Sequence, residues 1–440
     1  MPLENPGFQA SITPRQWLSL FRRPWFLLGL AAALGIVLLA CPLYGLDFRV
    51  YREGAKVLFA GLNERSLYDP MPQELGTRGL PFTYPPFAAA LFLPFALLPA
   101  TLGMVLITAT TLLCLVGAAL LAVGYIHRHG ALGWFAHTQL RRGLAVLLAI
   151  TLIGVSGPWR DSLDFGQINA MIMALIVIDV VRPGRWLPRG VLIGVAAGIK
   201  LTPLAFGLIF LARRDLRSLF GMAGGFAATI AVGWLVAGGE SMTFWSSLLE
   251  SATRVGDPAA MYNLSLNSLL FHLGLEGSAQ KLAWAAACLG MVLLGYAAIR
   301  LAQRRGDVLA AISVNALVML AISPVSWFHH WVWIALGLPV VWVAAWRRRG
   351  IARALGRGLC LVLVLAFSLS SYAWTILVAG KIFNSGPWGW EMYSSLGLLA
   401  SLTAVAGALV TRQQPAPPAD AEAGAGAGTV PANQRPGTGG

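Results

Sequence analysis

The chain of 440 residues is 57% hydrophobic and only 11% charged, and its mean hydropathy is +0.70. Soluble globular domains carry about 25% charged residues, so this composition excludes them and predicts a membrane protein. The net charge of +14 does not indicate nucleic-acid binding, because most basic residues are arginines in short clusters beside apolar runs. That pattern orients helices in a bilayer.

Long apolar runs recur from residue 25 to residue 410. A bilayer core of roughly 30 Å requires about 20 apolar residues per helix. We therefore predict an all-α polytopic membrane protein with about twelve transmembrane helices. The predicted spans are 25–44, 85–99, 101–126, 144–157, 170–181, 191–212, 219–237, 282–299, 308–322, 331–346, 359–379 and 396–410.

The arginine clusters predict which end of each helix faces the cytoplasm. The predicted parts are a cytoplasmic N-terminus at 1–24, a transmembrane domain at 25–411 and a disordered cytoplasmic tail at 412–440, which is rich in Pro, Ala and Gly. The larger outer loops then fall at 45–84, 238–281 and 380–395. When membrane crossings are counted from a cytoplasmic N-terminus, the arginines at 141 and 142 and those from 182 to 189 fall on the extracytoplasmic side, contrary to this rule. The large outer loops place any chemistry on the extracytoplasmic face.

The first outer loop opens with "LDFRVYREGAKVLFAG". Residues 49–59 predict an amphipathic helix lying in the membrane interface, with Arg52 on its polar face. Asp47 stands just before this helix. It either caps the helix or forms a carboxylate at the membrane surface that can accept a proton from a hydroxyl.

A proline-rich aromatic segment, "GLPFTYPPF", precedes the next apolar run. Its prolines rule out a regular helix at this point. Tyr84 belongs either to a rigid entry into the following span or to the wall of a cleft for a lipid substrate.

The segment "GPWRDSLDFGQINAM" concentrates polar residues between two short apolar runs. Arg160, Gln167 and Asn169 are its candidate site residues. The segment is either a solvated loop or part of a polar site.

Lys200 lies deep inside the apolar run "GVAAGIKLTPLAF". Burying an unpaired ammonium within a membrane is costly, so such a residue usually faces a partner or a water-filled cavity. We expect Lys200 to have such a role.

The segment "MYNLSLNSLLFHLG" offers Asn263 and Asn267 ahead of an apolar stretch. Its Asn-Leu-Ser triplet also has the form of an N-glycosylation acceptor, which is a weak signal. The two asparagines are candidate substrate ligands.

Two adjacent histidines, His329 and His330, stand among aromatic residues in "ISPVSWFHHWVWIALG". They either pack and form hydrogen bonds, or act as a titratable pair at the outer mouth of a span. No acidic or cysteine residue stands nearby with zinc-ligand spacing, so we predict no metal site. The four cysteines also lack metal or redox spacing.

Six ordered segments together resemble glycosyltransferase family 87, over roughly residues 47 to 333. They are "LDFRVYREGAKVLFAG", "PFTYPPFAAALFLP", "FGQINAMIMALIVID", "GVLIGVAAGIKLTPL", "NLSLNSLL" and "SPVSWFHHWVW". This family contains actinobacterial polyprenol-phosphate-mannose-dependent alpha-1,2-mannosyltransferases. The resemblance implies a helical membrane enzyme of the GT-C class with its active site facing away from the cytoplasm, in the plasma membrane.

The resemblance also implies roles for particular residues. Asp47 matches the acidic position of the first external loop, and His330 or its neighbour His329 matches a position implicated as catalytic. Lys200 matches the lysine of a family pattern. The chain departs from the common "NQSLNG" motif at Leu264 and Ser268.

The implied reaction transfers mannose from polyprenyl-phosphate-mannose to a glycolipid acceptor with inversion. The implied acceptors are phosphatidylinositol mannoside, lipomannan and lipoarabinomannan. Inversion needs one general base, either Asp47 or the histidine pair, and cations for the departing phosphate. The expected substrate-binding residues are Arg52, Tyr84, Arg160, Gln167, Asn169, Lys200, Asn263 and Asn267. No cofactor is expected beyond the lipid-linked donor.

Two alternatives remain open at this point. One keeps the fold and uses a lipid-linked arabinofuranose donor. The other is a flippase or transporter of lipid-linked sugars, which would account for the spans and Lys200 but would not need an external Asp and His pair. The bilayer is the expected environment in each case, and nucleic acid is not an expected partner.

Overall fold

A computed structural model describes residues 14–60, 65–71, 73, 77–182, 186–247, 256–258, 260, 262–371, 373, 395, 397–403 and 405–407. The predicted tail at 412–440 and nearly all of the predicted loop at 380–395 lie outside these residues. Within them, β-structure is limited to the isolated bridges Pro70–Pro81 and Asn263–Trp327.

The α-helices follow one another in the order α1 (Pro14–Leu20), α2 (Pro24–Leu39), α3 (Leu46–Ala60), α4 (Pro86–Leu91), α5 (Leu93–Leu97), α6 (Ala100–Arg128), α7 (Gln139–Gly154), α8 (Gly157–Phe165), α9 (Asn169–Val181), α10 (Val191–Ile199), α11 (Gly207–Arg213), α12 (Leu216–Val236), α13 (Gly238–Ser246), α14 (Leu266–His272), α15 (Gly277–Arg304), α16 (Val308–Ile322), α17 (Ile334–Trp346) and α18 (Gly350–Ala366). Short 3₁₀ segments occur at Gly133–Ala136, Thr202–Phe206 and Phe328–Trp333.

Four helical segments in the described part of the chain are long and apolar enough to cross a membrane. They are α6, α12, α15 and the continuous segment Phe328–Trp346, which joins a 3₁₀ turn to α17. The bent pair of α7 and α8, with 67° between the two helices, would make a fifth if it were one span. The chain is therefore a helical protein with membrane-spanning character.

Several apolar runs that the sequence presents as single spans are broken in the structure. Residues 85–99 form the short helices α4 and α5. The run 191–212 divides into α10, the 3₁₀ turn Thr202–Phe206 and α11, because Lys200 is extended and Pro203 cannot donate a helical hydrogen bond. The number of helices that are long enough to span is accordingly smaller than the number of apolar runs.

Two predicted loops contain helices. The polar segment 157–171 is not a solvated loop: most of it is α8 and the start of α9, and Trp159 and Asp161 are buried. The predicted loop 238–281 holds α13, α14 and the beginning of α15.

The segment Phe328–Trp346 is the centre of the molecule. In its most apolar stretch 78% of the residues are buried, against 28% for α6. Helix α8 packs on the 3₁₀ turn Phe328–Trp333, and the Trp159 indole N–H donates to the Val332 carbonyl at 3.0 Å. Helix α3 packs on α4, α5 and α8. The start of α3, the end of α8 and the histidine turn are therefore brought together.

Candidate active site

Asp47 lies in the first turn of α3, one residue inside the helix rather than ahead of it. The end of α8 fixes this turn. Asp164 Oδ1 accepts a hydrogen bond from the Tyr44 backbone N–H at 2.9 Å, and the Asp164 carbonyl accepts one from the Gly45 N–H at 2.7 Å. Because both bonds hold the residues just before the helix, α8 determines where the Asp47 carboxylate lies.

Two tyrosines lie beside Asp47. The Tyr51 hydroxyl donates to Gln167 Oε1 at 2.8 Å, and the hydroxyls of Tyr51 and Tyr84 are 3.0 Å apart. Since Tyr51 donates its single proton to Gln167, Tyr84 is the donor between the two tyrosines. Tyr84 thus belongs to the wall of the site.

Gln167 and Asn169 connect α3 to the histidine turn. Asn169 Nδ2 donates to Gln167 Oε1 at 3.2 Å and to the His329 carbonyl at 3.1 Å. Gln167 Oε1 accepts from both Asn169 and Tyr51, which fixes the orientation of its amide. The Gln167 Nε2 group therefore faces His329 Nε2, at 3.2 Å.

Lys200 lies at the break after α10, where its backbone is extended. Its ammonium donates to Asn169 Oδ1 at 3.1 Å and to His330 Nε2 at 2.7 Å, and it lies 5.8 Å from the centre of the Tyr84 ring. The charge that the sequence places in an apolar run is thus held by polar groups from three other parts of the chain.

Both imidazoles accept a hydrogen bond at Nε2. His329 accepts from the Gln167 amide, and His330 accepts from the Lys200 ammonium. In this arrangement each ring carries its proton on Nδ1. Neither Nε2 lone pair is available to take a proton from a third molecule unless its protein donor first moves away.

We call the connected residues the polar cluster. It comprises Asp47, Tyr51, Tyr84, Gln167, Asn169, Lys200, His329 and His330.

Burial raises the pKa of Asp47 from 3.8 to about 6, while a hydrogen bond from Gln167 and the positive charge of Lys200 act in the opposite direction. Loss of hydration disfavours the charged form of a carboxyl group, which explains the direction. Burial also raises the pKa of the Tyr84 hydroxyl, so this residue stays neutral at physiological pH. Asp47 is the member of this pair that ionises near neutrality.

Asn263 and Asn267 hold the chain just before the histidine turn. Asn263 Oδ1 accepts from the Ser326 N–H at 2.7 Å, and its Nδ2 donates to the Pro258 carbonyl at 3.0 Å. Asn267 Nδ2 donates to the Pro324 carbonyl at 3.2 Å. Both side chains are buried, and these contacts are with backbone groups rather than with the polar cluster.

The two candidate arginines lie apart from the hydrogen bonds of the cluster. Arg52 donates to the carbonyls of Phe95 and Leu98, at 3.2 and 3.1 Å, and so caps the end of α5. Arg160 lies on α8, four residues before Asp164. In the described part of the chain, no hydrogen bond joins either guanidinium to the polar cluster.

Sequence reasoning missed Tyr51 and Asp164. Tyr51 follows Asp47 by four residues, a spacing that places two side chains on the same helix face, so its signal was available. Asp164 had no comparable local signal, because its partners Tyr44 and Gly45 are 120 and 119 residues away in the chain.

The described residues contain no group of three or more His, Cys, Asp or Glu side chains arranged to hold a metal ion. The cluster instead offers a carboxylate that can accept a proton, a cation and several neutral donors. General bases and cationic groups of this kind serve transfer reactions in which a hydroxyl attacks and an anion leaves.

Comparison with known proteins gives a family match and several relatives. The sequence model of glycosyltransferase family 87 matches residues 82–324 of this chain. A polyprenol-phosphate-mannose-dependent alpha-(1-2)-phosphatidylinositol mannoside mannosyltransferase of Mycolicibacterium smegmatis is 36% identical over 70% of this chain and 72% of its own length. A protein of the same description from Mycobacterium tuberculosis is 33% identical over 75% of this chain and 79% of its own length.

A third relative, from Mycolicibacterium smegmatis, is described as a phosphatidylinositol pentamannoside mannosyltransferase with the same donor. It is 35% identical over 66% of this chain and 67% of its own length. No solved structure matches the chain.

Proposed function

We propose, because this chain belongs to glycosyltransferase family 87, that it transfers mannose from polyprenyl-phosphate-mannose to a lipid-linked mannoside. The acceptor is a phosphatidylinositol mannoside or a larger glycolipid built on one, and the new linkage is alpha-1,2. The descriptions of the mycobacterial relatives support this donor, acceptor and linkage.

The observation that carries the proposal is that Asp47 and Lys200 belong to one polar cluster, which lies at the start of the apolar segment Phe328–Trp346. A lipid phosphate donor brings an anion to the membrane surface, and a sugar acceptor brings a hydroxyl. A carboxylate and an ammonium that interact electrostatically within one cluster suit these two groups.

The proposed reaction is a single displacement. The acceptor hydroxyl oxygen bonds to the anomeric carbon as the bond from that carbon to the phosphate oxygen breaks. The hydroxyl proton passes to the Asp47 carboxylate, and polyprenyl phosphate leaves as the anion. A beta-linked donor then gives an alpha product, with no covalent intermediate on the protein.

Asp47 is the base in this proposal, and Lys200 stabilises the departing phosphate. The occupied Nε2 atoms of His329 and His330 support this division, since both already accept hydrogen bonds. His330 orients the Lys200 ammonium, and His329 orients the Gln167 amide that faces Asp47. The reaction calls for no cofactor beyond the lipid-linked donor.

We further propose a GT-C architecture with about twelve membrane passages. Short apolar helices such as α2, α9 and α16 would complete passages together with neighbouring segments. The polar cluster would face the extracytoplasmic side of a bacterial plasma membrane, as the arginine distribution predicts.

A transfer assay with the purified full chain tests the proposed function. Radiolabelled polyprenyl-phosphate-mannose and a phosphatidylinositol mannoside should give a labelled product that an alpha-1,2-mannosidase releases. A parallel reaction contains lipid-linked arabinofuranose as the donor. Transfer from the arabinose donor alone, or donor movement across vesicles without any product, would overturn the proposal.

A further inference from the structure

A second charged feature lies at the other end of the central segment. Five arginines occur within eleven residues, at 347, 348, 349, 353 and 357, and the sequence from residue 308 to residue 390 contains no Asp or Glu. Helix α17 separates this arginine group from the histidine turn by about 20 Å, at ~1.5 Å per residue. The arginine group therefore lies at the opposite end of α17 from the histidine turn.

Two of these arginines are held over tryptophan rings of α17. The Arg357 guanidinium lies 5.1 Å from the centre of the Trp346 ring and 5.8 Å from that of Trp342. The Arg353 guanidinium lies 5.7 Å from the Trp346 ring. Gly356 permits the close approach, because a Cβ there would lie 2.7 Å from the Ala345 Cβ.

Each guanidinium lies over an indole ring and keeps N–H groups that can reach other acceptors. Arg353 uses one N–H for the Arg348 carbonyl. In the part of the chain that the structure describes, neither Arg353 nor Arg357 has a carboxylate partner. A planar guanidinium of this kind suits bidentate contact with a phosphate.

The same face of α18 becomes apolar further along the helix. Leu361 and Leu365 follow Arg353 and Arg357 at four-residue intervals, and each leucine is 59% exposed. One face of the helix thus presents two cations and then two exposed leucines. This order matches a phospholipid, in which a charged headgroup continues into acyl chains.

We infer that Arg353 and Arg357, stacked on Trp342 and Trp346, bind the phosphate of an anionic phospholipid whose chains lie along Leu361 and Leu365. The lipid belongs to the membrane leaflet opposite the polar cluster, so it is distinct from donor and acceptor. The charge of the arginine group is complementary to an anionic headgroup and would distinguish it from a zwitterionic one.

Native mass spectrometry of the purified full chain tests the inference. Dioleoyl phosphatidylglycerol and dioleoyl phosphatidylcholine are titrated separately, and the dissociation constant of the first bound lipid is measured. We expect phosphatidylglycerol to bind about tenfold more tightly, since each basic residue near an anionic membrane surface adds a several-fold preference. The double variant Arg353→Gln/Arg357→Gln should lose this preference.

A charge-matched control is the double variant Arg300→Gln/Arg304→Gln on α15. These arginines have the same four-residue spacing near the end of an apolar helix, and Arg300 donates to the Tyr296 hydroxyl instead of stacking on an indole. The control should keep the preference. Equal loss in both double variants would show a general charge effect and overturn the inference, as would equal binding of the two lipids by the unaltered protein.

The variant Arg353→Lys/Arg357→Lys separates geometry from charge. It keeps both charges but lacks the planar N–H edge, so we expect most of the preference to be lost. Full retention would contradict the stacked site. The thermal unfolding midpoint of each variant shows whether it is folded.

Discussion

At the scale of single residues, Asp47 has the property that the proposed reaction most needs. A carboxylate with a pKa of about 6 is ionised at neutral pH and is a stronger base than an ordinary Asp. Its pKa results from opposing contributions: burial raises it, and Gln167 and Lys200 lower it. The neighbours of Asp47 therefore tune its basicity.

We predict a pH dependence of mannosyl transfer from this value. The base must be unprotonated, so kcat/KM should rise with pH and level off above the Asp47 pKa of about 6. Steady-state kinetics between pH 4.5 and pH 8, at ~0.15 M salt, give kcat/KM as a function of pH. A profile that is already level at pH 4.5 would show that Asp47 does not titrate as the base.

A second prediction concerns Asn263, whose contacts favour positioning of the histidine turn over direct contact with substrate. Asn263→Ala removes the acceptor of the buried Ser326 N–H, at a cost of about 1–3 kcal/mol, and should lower kcat. Asn263→Asp keeps the acceptor for Ser326 but places an oxygen against the Pro258 carbonyl in place of the Nδ2 donor, so it should also lower kcat.

Kinetics distinguish the two roles of Asn263. Positioning predicts a fall in kcat with KM for donor and acceptor nearly unchanged. A selective rise of either KM, with kcat intact, would show instead that Asn263 contacts that substrate.

The sequence was informative about residues that are chemically out of place. Lys200 in an apolar run indicated a partner or a water-filled cavity, and the structure places Asn169 and His330 within hydrogen-bond distance of its ammonium. The sequence did not predict the direction of the Asn263 side chain, because its partners Pro258 and Ser326 are brought together only by folding.

At the scale of elements, the site depends on breaks between helices. Asn169 begins α9 directly after the turn that ends α8, and Lys200 follows α10. The prolines at 85 and 86 correctly indicated an interruption. Pro203 gave the same signal, but the hydrophobicity of the run 191–212 favoured a single span. Apolar content predicts burial or lipid contact and does not by itself predict helix continuity.

Gly166 at the end of α8 gives a prediction at this scale. Its φ is +67°, and an added Cβ would lie 2.7 Å from the Phe48 Cβ, next to Asp47. Gly166→Ala should destabilise the protein by about 1–2 kcal/mol through backbone strain alone and should also displace α3. We expect a lower unfolding midpoint and a large loss of transfer.

Gly130→Ala is the matched control for this variant. Gly130 has a φ of +68°, but nothing lies within 4 Å of an added Cβ. It should show a similar loss of stability and retain transfer activity. Equal transfer by the two variants would contradict the role assigned to the contact between α8 and α3.

At the scale of the whole molecule, composition was sufficient to predict a helical membrane protein. Composition did not predict the number of membrane passages, because short helices can pair or re-enter the membrane without crossing it. Orientation rests on the arginine clusters. The arginine groups on α15 and between α17 and α18 should face the cytoplasm, and the polar cluster should face outward.

Cysteine labelling tests this orientation. Asp69 lies in the first outer loop and Arg304 at the end of α15, and both are exposed. A membrane-impermeant maleimide added to intact cells should label Asp69→Cys and not Arg304→Cys, with the unaltered chain as background. The reverse pattern would place the polar cluster on the cytoplasmic side.

The most direct test of the account compares mannosyl transfer by the unaltered protein, Asp47→Asn and Asp69→Asn. The asparagine at 47 keeps the shape of the side chain but cannot accept the hydroxyl proton, so transfer should fall by about 10²–10⁴-fold with an intact fold. Asp69→Asn, a change in an exposed carboxylate, should leave the rate unchanged. Full activity in a folded Asp47→Asn protein would show that this carboxylate is not the base of the reaction.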